Sequence, residues 1–147
     1  MNINMLIFYV MISIFAIVLI AVEFFIFKFI VSLLKLEEKY HKPKQILTLI
    51  IVELIAVLTS INVMTKTPIV FALMCLFLAI KVFGLWNTKK WVLYFYVLSN
   101  CVSWYISSTA AKGKDVSTLI VAGIIGSALI LGFYYVQVYL PNRKEFV

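Results

Sequence analysis

Charged side chains are scarce in this sequence, and their scarcity excludes an ordinary soluble domain. Only 13% of its 147 residues are charged, whereas 65% are hydrophobic. A soluble globular domain has about a quarter charged residues and about half apolar ones. The mean hydropathy of +1.10 agrees with this difference. We therefore expect a multi-pass protein of the cell membrane, with the lipid bilayer as its solvent.

Residues that hold metals or cofactors are also few. His41 is the single histidine and stands among lysines, while Cys75 and Cys101 both fall inside apolar runs. A thiol in such a run behaves as a small hydrophobe, and a Cu(I) site or redox pair built from these two lacks a third ligand. Glycine-rich phosphate loops, nucleophile elbows and paired-histidine motifs are missing. We expect no metal, no cofactor and no catalytic activity of the chain's own.

Arginine is nearly absent too, which argues against nucleic acid as a partner. Twelve of the thirteen basic residues are lysines and Arg143 is the exception, so no arginine cluster offers bidentate contacts to phosphate. The basic residues stand mostly in short segments between apolar runs rather than along one face. That distribution is typical of lysines that mark the cytoplasmic side of membrane helices.

Five apolar runs are long enough to cross a bilayer, whose hydrocarbon core of ~30 Å needs about 20 helical residues. The first run, interrupted only by Glu23 and Lys28, would form a helix of roughly 45 Å. Either this helix is strongly tilted, or its second half emerges and continues along the membrane surface. A first run that lies on the surface would leave four spanning helices. The fold class is all-α, a polytopic integral membrane bundle with five transmembrane helices or four. We predict one transmembrane domain over residues 1–147, with helices at about 3–34, 45–64, 67–86, 91–110 and 117–140 and a cytoplasmic loop at 35–44.

The short polar break Gly84–Trp91 predicts a hairpin at a membrane surface. Trp86 and Trp91 flank Lys89 and Lys90. Indole rings suit the headgroup layer and lysines suit the water beyond it. We interpret all four as interface anchors, and the short connection predicts that the flanking helices run antiparallel.

The basic residues also predict the orientation of the five helices. Cytoplasmic segments carry an excess of lysine and arginine. One side has eight such residues and the other has three, which places the N-terminus outside and the C-terminus inside. The eight are Lys35, Lys39, Lys42, Lys44, Lys89, Lys90, Arg143 and Lys144, and the three are Lys66, Lys112 and Lys114.

Small residues in the last helix follow the spacing of membrane helix contacts. Small side chains let two helices approach closely, which matters in lipid because no hydrophobic force drives helices together. Packing within the chain and docking of a second chain are both open. The residues are Ala122, Gly123, Gly126, Ser127, Ala128 and Gly132.

Polar residues inside the apolar runs are the main functional signal, since charges in a bilayer are costly and often functional. At 1.5 Å per residue, Glu53, Lys81 and Asn100 lie roughly 12, 8 and 13 Å from the predicted cytoplasmic helix ends. Lys28 and the Tyr134–Tyr135 pair are placed near the same level.

This layer has two interpretations. In the first, Glu53 carries a proton or binds a cation, Lys81 supplies the counter-charge, and Asn100 and Tyr135 form the walls of a polar pocket. Such a pocket would suit a quinone or lipid headgroup or a proton relay. In the second, Glu53 and Lys81 pair only to specify packing, and Lys28 and Lys81 extend toward the membrane surface.

From about Gln45 onward, the chain carries an early acidic residue in an apolar helix, Glu53, then the hairpin motif G-L-W-x-x-K-x-W, then Tyr134-Tyr135 followed by Pro141 and a basic tail. In these features it resembles a group of small, poorly characterised bacterial and archaeal four-helix membrane proteins. The resemblance covers about the last hundred residues and implies the architecture alone.

The leading functional expectation is a non-catalytic accessory or structural subunit of a larger membrane complex, such as a respiratory oxidase or membrane monooxygenase, acting by helix association. The first alternative is a small transporter or channel subunit that uses the layer of Glu53 and Lys81. The second is a membrane enzyme acting on a lipid or quinone. Expected partners are the bilayer, other membrane subunits and a bound lipid or quinone.

Overall fold

The computed structural model describes residues 3–61, 66–110 and 116–147, and every regular element in these ranges is a helix. Five of them correspond to the five apolar runs, and one short helix lies between the first two runs. The last helix continues without a break into a π-helical turn and a 3-10 turn. The elements are α1 (Ile3–Leu33), α2 (Leu36–Tyr40), α3 (Lys44–Leu58), α4 (Pro68–Trp86), α5 (Trp91–Ala110) and α6 (Val116–Tyr134), followed by Tyr135–Tyr139 and Leu140–Asn142.

Three helical stretches are long and apolar enough to cross a membrane. They are α1, α4 and the continuous stretch Ser117–Asn142. Their length and composition are typical of a helical membrane protein. Helix α3 has 15 residues, which is about 22 Å at 1.5 Å per residue. It ends at Leu58 rather than near residue 64, and residues 62–65 lie outside the described part of the chain.

The segment predicted as the loop 35–44 contains a helix of its own. Lys35 and His41, on either side of α2, adopt left-handed backbone conformations with φ of 56° and 53°. These two turns separate α2 from α1 and from α3, so the first run ends at Leu33 instead of continuing into α2. Lys44 Nζ lies 3.7 Å from Glu37 Oε1 across the second turn.

The five long helices form a closed ring. Around it the order is α1, α3, α4, α5, α6, and α1 packs against α6 to close it. Glycines make two of these contacts close. A Cβ at Gly126 would lie 3.2 Å from the Ser13 hydroxyl of α1, and one at Gly123 would lie 2.4 Å from the Trp104 ring of α5.

The other small residues of α6 differ in their surroundings. Ala122 is buried and Ser127 is half-buried, whereas Ala128 is exposed. A Cβ at Gly132 would meet nothing within 4 Å. One part of the small-residue pattern therefore packs inside this chain, and Gly132 and Ala128 lie on its outer surface.

The packed core lies at one end of the ring, the end formed by Gly84–Trp91, called here the hairpin end. A Cβ at Gly84 would lie 2.7 Å from Val92 Cβ, so glycine is what allows α4 and α5 to approach this closely. The core there includes Phe24, Ile46, Leu49, Leu85, Val92, Val138 and Phe146.

The C-terminal segment is hydrogen-bonded to the hairpin end. The backbone N–H of Val147 donates to the Thr88 carbonyl, and the N–H of Lys90 donates to the Val147 carbonyl, both at 2.9 Å. Asn142 Nδ2 donates to Gln45 Oε1 at 3.3 Å. These contacts tie the tail to the hairpin and to the start of α3.

The four predicted interface anchors all lie on the surface of the hairpin end. Trp86 and Trp91 are 37% and 41% exposed, and Lys89 and Lys90 are exposed. Lys42 Nζ lies 5.2 Å from the ring centroid of Trp86. The half-exposed indoles and free ammonium groups fit an apolar layer that meets water.

Candidate binding site

A partly open cavity of about 500 Å³ lies inside the ring. Each of the five long helices contributes to its wall. Its polar groups are two carboxyls, one ammonium, two phenols, one amide and several hydroxyls. The polar lining residues are Glu23 from α1, Glu53, Thr59 and Ser60 from α3 and the turn after it, Lys81 from α4, Tyr96, Ser99, Asn100 and Ser103 from α5, and Tyr134 from α6.

An ion pair crosses the cavity wall between α3 and α4. Lys81 Nζ lies 3.4 Å from Glu53 Oε2, and each side chain is 15% exposed. The same ammonium lies 4.7 Å from the ring centroid of Tyr96. Lys81 is thus held between a carboxylate and an aromatic face, each of which attracts a cation.

Two tyrosines form the wall of the cavity toward the hairpin end. The rings of Tyr96 and Tyr134 meet edge to face with centroids 6.0 Å apart. Tyr96 is 5% exposed, and in the described residues its hydroxyl is the buried side-chain polar atom without a hydrogen-bond partner. An unpaired buried hydroxyl is costly, so this oxygen is suited to a bound group.

Helix α5 brings its polar residues to the cavity by their spacing. Tyr96, Ser99, Asn100 and Ser103 follow the i, i+3, i+4, i+7 pattern of one helix face. Ser99 Oγ and Asn100 Nδ2 each donate to the Tyr96 carbonyl at 3.1 Å. These bonds orient two of the side chains and leave the Asn100 carbonyl oxygen as an acceptor.

Glu23 adds a second carboxyl to the cavity from α1. In the part of the chain that the structure describes, Glu23 forms no ion pair. A lone charge inside a bilayer costs at least ~2.5 kcal/mol. Among the described residues, the cavity therefore holds one carboxyl that is paired with an ammonium group and one that has no charged partner.

The cavity is closed at the hairpin end and open toward the opposite end. Tyr96 and Ser99 are buried, whereas Ala56, Thr59 and Ser103 are exposed. Along α5, Tyr96 lies roughly 8 Å and Ser103 roughly 18 Å from the start of the helix. A second, smaller cavity of about 200 Å³ adjoins it and shares Asn100, Ile20 and Ile130.

The structure brings together three of the five predicted site residues, namely Glu53, Lys81 and Asn100. Lys28 does not line the cavity, and its Nζ lies 6.0 Å from the Phe25 ring. Because successive helical residues point about 100° apart, only one residue of the Tyr134-Tyr135 pair can face the cavity.

Tyr134 faces the cavity, and this corrects the prediction of Tyr135 as a wall. Tyr135 is 49% exposed and stacks on Tyr139 with centroids 5.0 Å apart. It lines a mainly apolar groove of about 410 Å³ between α5 and α6, near Lys90. This groove lies on the other side of Tyr96 and Tyr134 from the cavity and shares these two residues with it.

Sequence reasoning missed Glu23, Tyr96, Ser99 and Ser103 as lining residues. A signal for the three on α5 was present in their helical spacing with Asn100. Glu23 lacked such a signal, because nothing in an otherwise apolar run shows which neighbour it faces.

The cysteines take no part in the cavity. Cys75 and Cys101 are both free and exposed. Within residues 3–61, 66–110 and 116–147, no three His, Cys, Asp or Glu side chains are grouped to hold a metal ion.

The fold and the cavity define a class: an all-helical protein with helices long and apolar enough to cross a membrane, a polar cavity and an ion pair between its helices. No protein-family model, curated protein or solved structure matches the chain. The resemblance to four-helix membrane proteins accordingly stays a prediction, and function is argued from the cavity.

Proposed function

We propose that this chain binds a small polar solute inside its helix ring and acts as a small transporter or channel subunit. The observation that carries the proposal is the polar cavity, to which all five long helices contribute and which contains the Glu53–Lys81 pair. Its volume of about 500 Å³ falls within the roughly 300–1,000 Å³ of small-molecule sites.

The proposal includes a topology of five spans, with the N-terminus outside and the C-terminus in the cytoplasm. The eight-to-three distribution of basic residues supports this orientation. The hairpin end then faces the cytoplasm. Because the cavity is closed there and open at the opposite end, the conformation described here is outward-open.

The composition of the wall favours solute binding over a purely structural ion pair. A structural pair needs only its two partners and their hydrogen bonds. Here Glu23 and Asn100 line the same space, and among the described residues neither forms a hydrogen bond to Glu53 or Lys81. Polar groups that line a water-filled space are the usual form of polar residues inside a membrane.

Substitution of Glu53 by glutamine tests the proposal. The purified chain is reconstituted into vesicles, and the flux of methylammonium, acetate and glycerol is measured, as a cation, an anion and a neutral solute. We expect flux of at least one solute in the parent chain and its loss in Glu53→Gln, with both chains folded and assayed below their melting temperatures. Glu37→Gln is the matched control, because Glu37 pairs with Lys44 outside the cavity.

A lowered melting temperature with unchanged flux in Glu53→Gln would contradict the proposal and favour a structural role for the pair. Absence of flux for all three solutes in the parent chain, with no binding detected by calorimetry, would also count against it.

A second candidate is the accessory subunit of a larger membrane complex. The outer surface of α6 at Gly132 and Ala128 favours it, since a Cβ at Gly132 meets nothing and small residues suit close helix docking. Purification in mild detergent with a fixed stoichiometry of other chains would support this function. Retention of a lipid or quinone in the groove beside Tyr135 would instead support the membrane enzyme.

A further inference from the structure

The surroundings of the Lys81 ammonium indicate which ligands the cavity favours. Its Nζ lies 3.4 Å from a Glu53 carboxylate oxygen and 4.7 Å from the Tyr96 ring centroid. A carboxylate beside an aromatic face is a recognition set for an ammonium group. In this protein the ammonium group bound between the carboxylate and the ring is that of Lys81 itself.

The side of the cavity formed by α1 and α6 also carries a carboxyl and an aromatic ring. Glu23 on α1 and Tyr134 on α6 both line it. Since Tyr96 and Tyr134 touch edge to face, the two halves share one aromatic wall.

The charges that face the cavity do not balance. Helix α1 contributes Glu23, α3 contributes Glu53 and α4 contributes Lys81, while α5 and α6 contribute only uncharged polar groups. With these side chains ionised, the net charge is −1. A monovalent cation would neutralise it.

The Tyr96 hydroxyl provides a second, independent pointer to a ligand. It is buried, it belongs to a residue of the cavity wall, and it lacks a hydrogen-bond partner in the described residues. A hydroxyl oxygen can accept a hydrogen bond from an N–H group. An ammonium group would satisfy this oxygen as well as the carboxylate.

Resting on the proposed function, we propose that the cavity binds a small primary ammonium ion between Glu23 and the Tyr96–Tyr134 wall. The Lys81 ammonium takes the equivalent position beside Glu53. Ammonium, methylammonium and short alkylamines carry the required charge and N–H donors. An anion would face two carboxyls, and a neutral solute would leave the charge unmatched.

Binding of methylammonium to the detergent-solubilised chain tests the assignment directly. We expect saturable binding by calorimetry, and a loss of at least tenfold in affinity in Glu23→Gln. Glu38→Gln is the matched control, because Glu38 is exposed on α2 and does not line the cavity. Potassium chloride, acetate and glycerol are tested at the same concentration.

Chemical rescue provides a readout independent of Glu23. Lys81→Ala removes three methylenes and the ammonium, which together correspond to n-propylammonium. We expect n-propylammonium to raise the melting temperature of Lys81→Ala by several degrees more than that of the parent chain. The rescue should vanish in the double variant Lys81→Ala/Glu53→Gln.

Three results would overturn the inference. Binding of acetate or glycerol without methylammonium would do so while leaving the proposed function standing. Equal affinity for potassium would remove the ammonium assignment. Binding of no solute, together with unchanged flux in Glu53→Gln, would remove the inference and the proposed function together.

Discussion

The two ends of the helix ring are built differently. At the hairpin end, Leu85, Val92 and Phe146 are at most 5% exposed, and the tail is hydrogen-bonded to the turn between α4 and α5. Toward the opposite end, the helices surround a polar cavity whose wall becomes exposed at Thr59 and Ser103. The hairpin end is apolar and closely packed, and the opposite end is polar and open.

This difference separates the source of stability from the source of function. In lipid, helix association depends on close packing rather than on the hydrophobic effect, and the closest approach in the hairpin is at Gly84. Around the cavity, polar side chains take the place of closely packed apolar ones. We therefore expect substitutions at the hairpin end to change stability alone, and substitutions in the cavity to change binding as well.

The largest expected effect at the hairpin end is that of Phe146→Ala. Phe146 is 5% exposed and packs against Tyr139, so truncation should lower the free energy of unfolding by about 3 kcal/mol or more. Denaturant titration in detergent measures the change. Val147→Ala is the control, since Val147 is 79% exposed and keeps its backbone hydrogen bonds. A change below 1 kcal/mol for Phe146→Ala would show that the tail does not stabilise this end.

The substitution Lys81→Met asks whether the cavity half also contributes to stability. It leaves the Glu53 carboxyl without its partner, which should cost about 3 kcal/mol in the same titration. The double variant Glu53→Met/Lys81→Met should recover most of this loss, because it removes both charges. Similar stabilities for the single and double variants would indicate that the pair is solvated and does not couple α3 to α4.

A smaller loss is expected for Gly84→Ala. The new Cβ would lie 2.7 Å from Val92 Cβ, so α4 and α5 must separate, at a cost of about 1–3 kcal/mol. Gly132→Ala is the control in a helix with open space around it. It should be neutral or stabilising by up to about 1 kcal/mol. Equal effects of the two substitutions on the melting temperature would contradict the close approach at the hairpin.

The smallest effect is expected for Tyr96→Phe, and its sign is opposite. Removing a buried hydroxyl that has no partner should raise the free energy of unfolding by about 1 kcal/mol, while binding in the cavity weakens. Melting curves and calorimetry measure the two quantities. Tyr94→Phe is the matched control, since Tyr94 on the same helix is 76% exposed. Destabilisation by Tyr96→Phe would mean that its hydroxyl is hydrogen-bonded in the folded protein.

Some features could be predicted from local sequence. The helices, the hairpin at Gly84–Trp91 and the start of α4 at Pro68 all depend on apolar run length, short polar breaks and proline position, which act over a few residues. The proximity of Glu53, Lys81 and Asn100 followed from counting residues inward from the helix ends. Five spans and their orientation remain predictions that rest on the charge distribution.

Other features depended on how the helices are rotated about their axes. Tyr134 rather than Tyr135 faces the cavity, Glu23 lines it while Lys28 does not, and Gly123 packs inward while Gly132 lies outside. In a soluble protein, the apolar stripe along a helix shows which side of the helix packs against the core. Helices α1 and α6 have apolar residues on all sides. Their sequences therefore show how deep in the membrane a polar residue lies, but not which neighbouring helix it faces. The sequence by itself therefore determined a set of apolar helices with polar residues at a common level, and only the packing of α1 against α3 and α6 decided which of those residues meet.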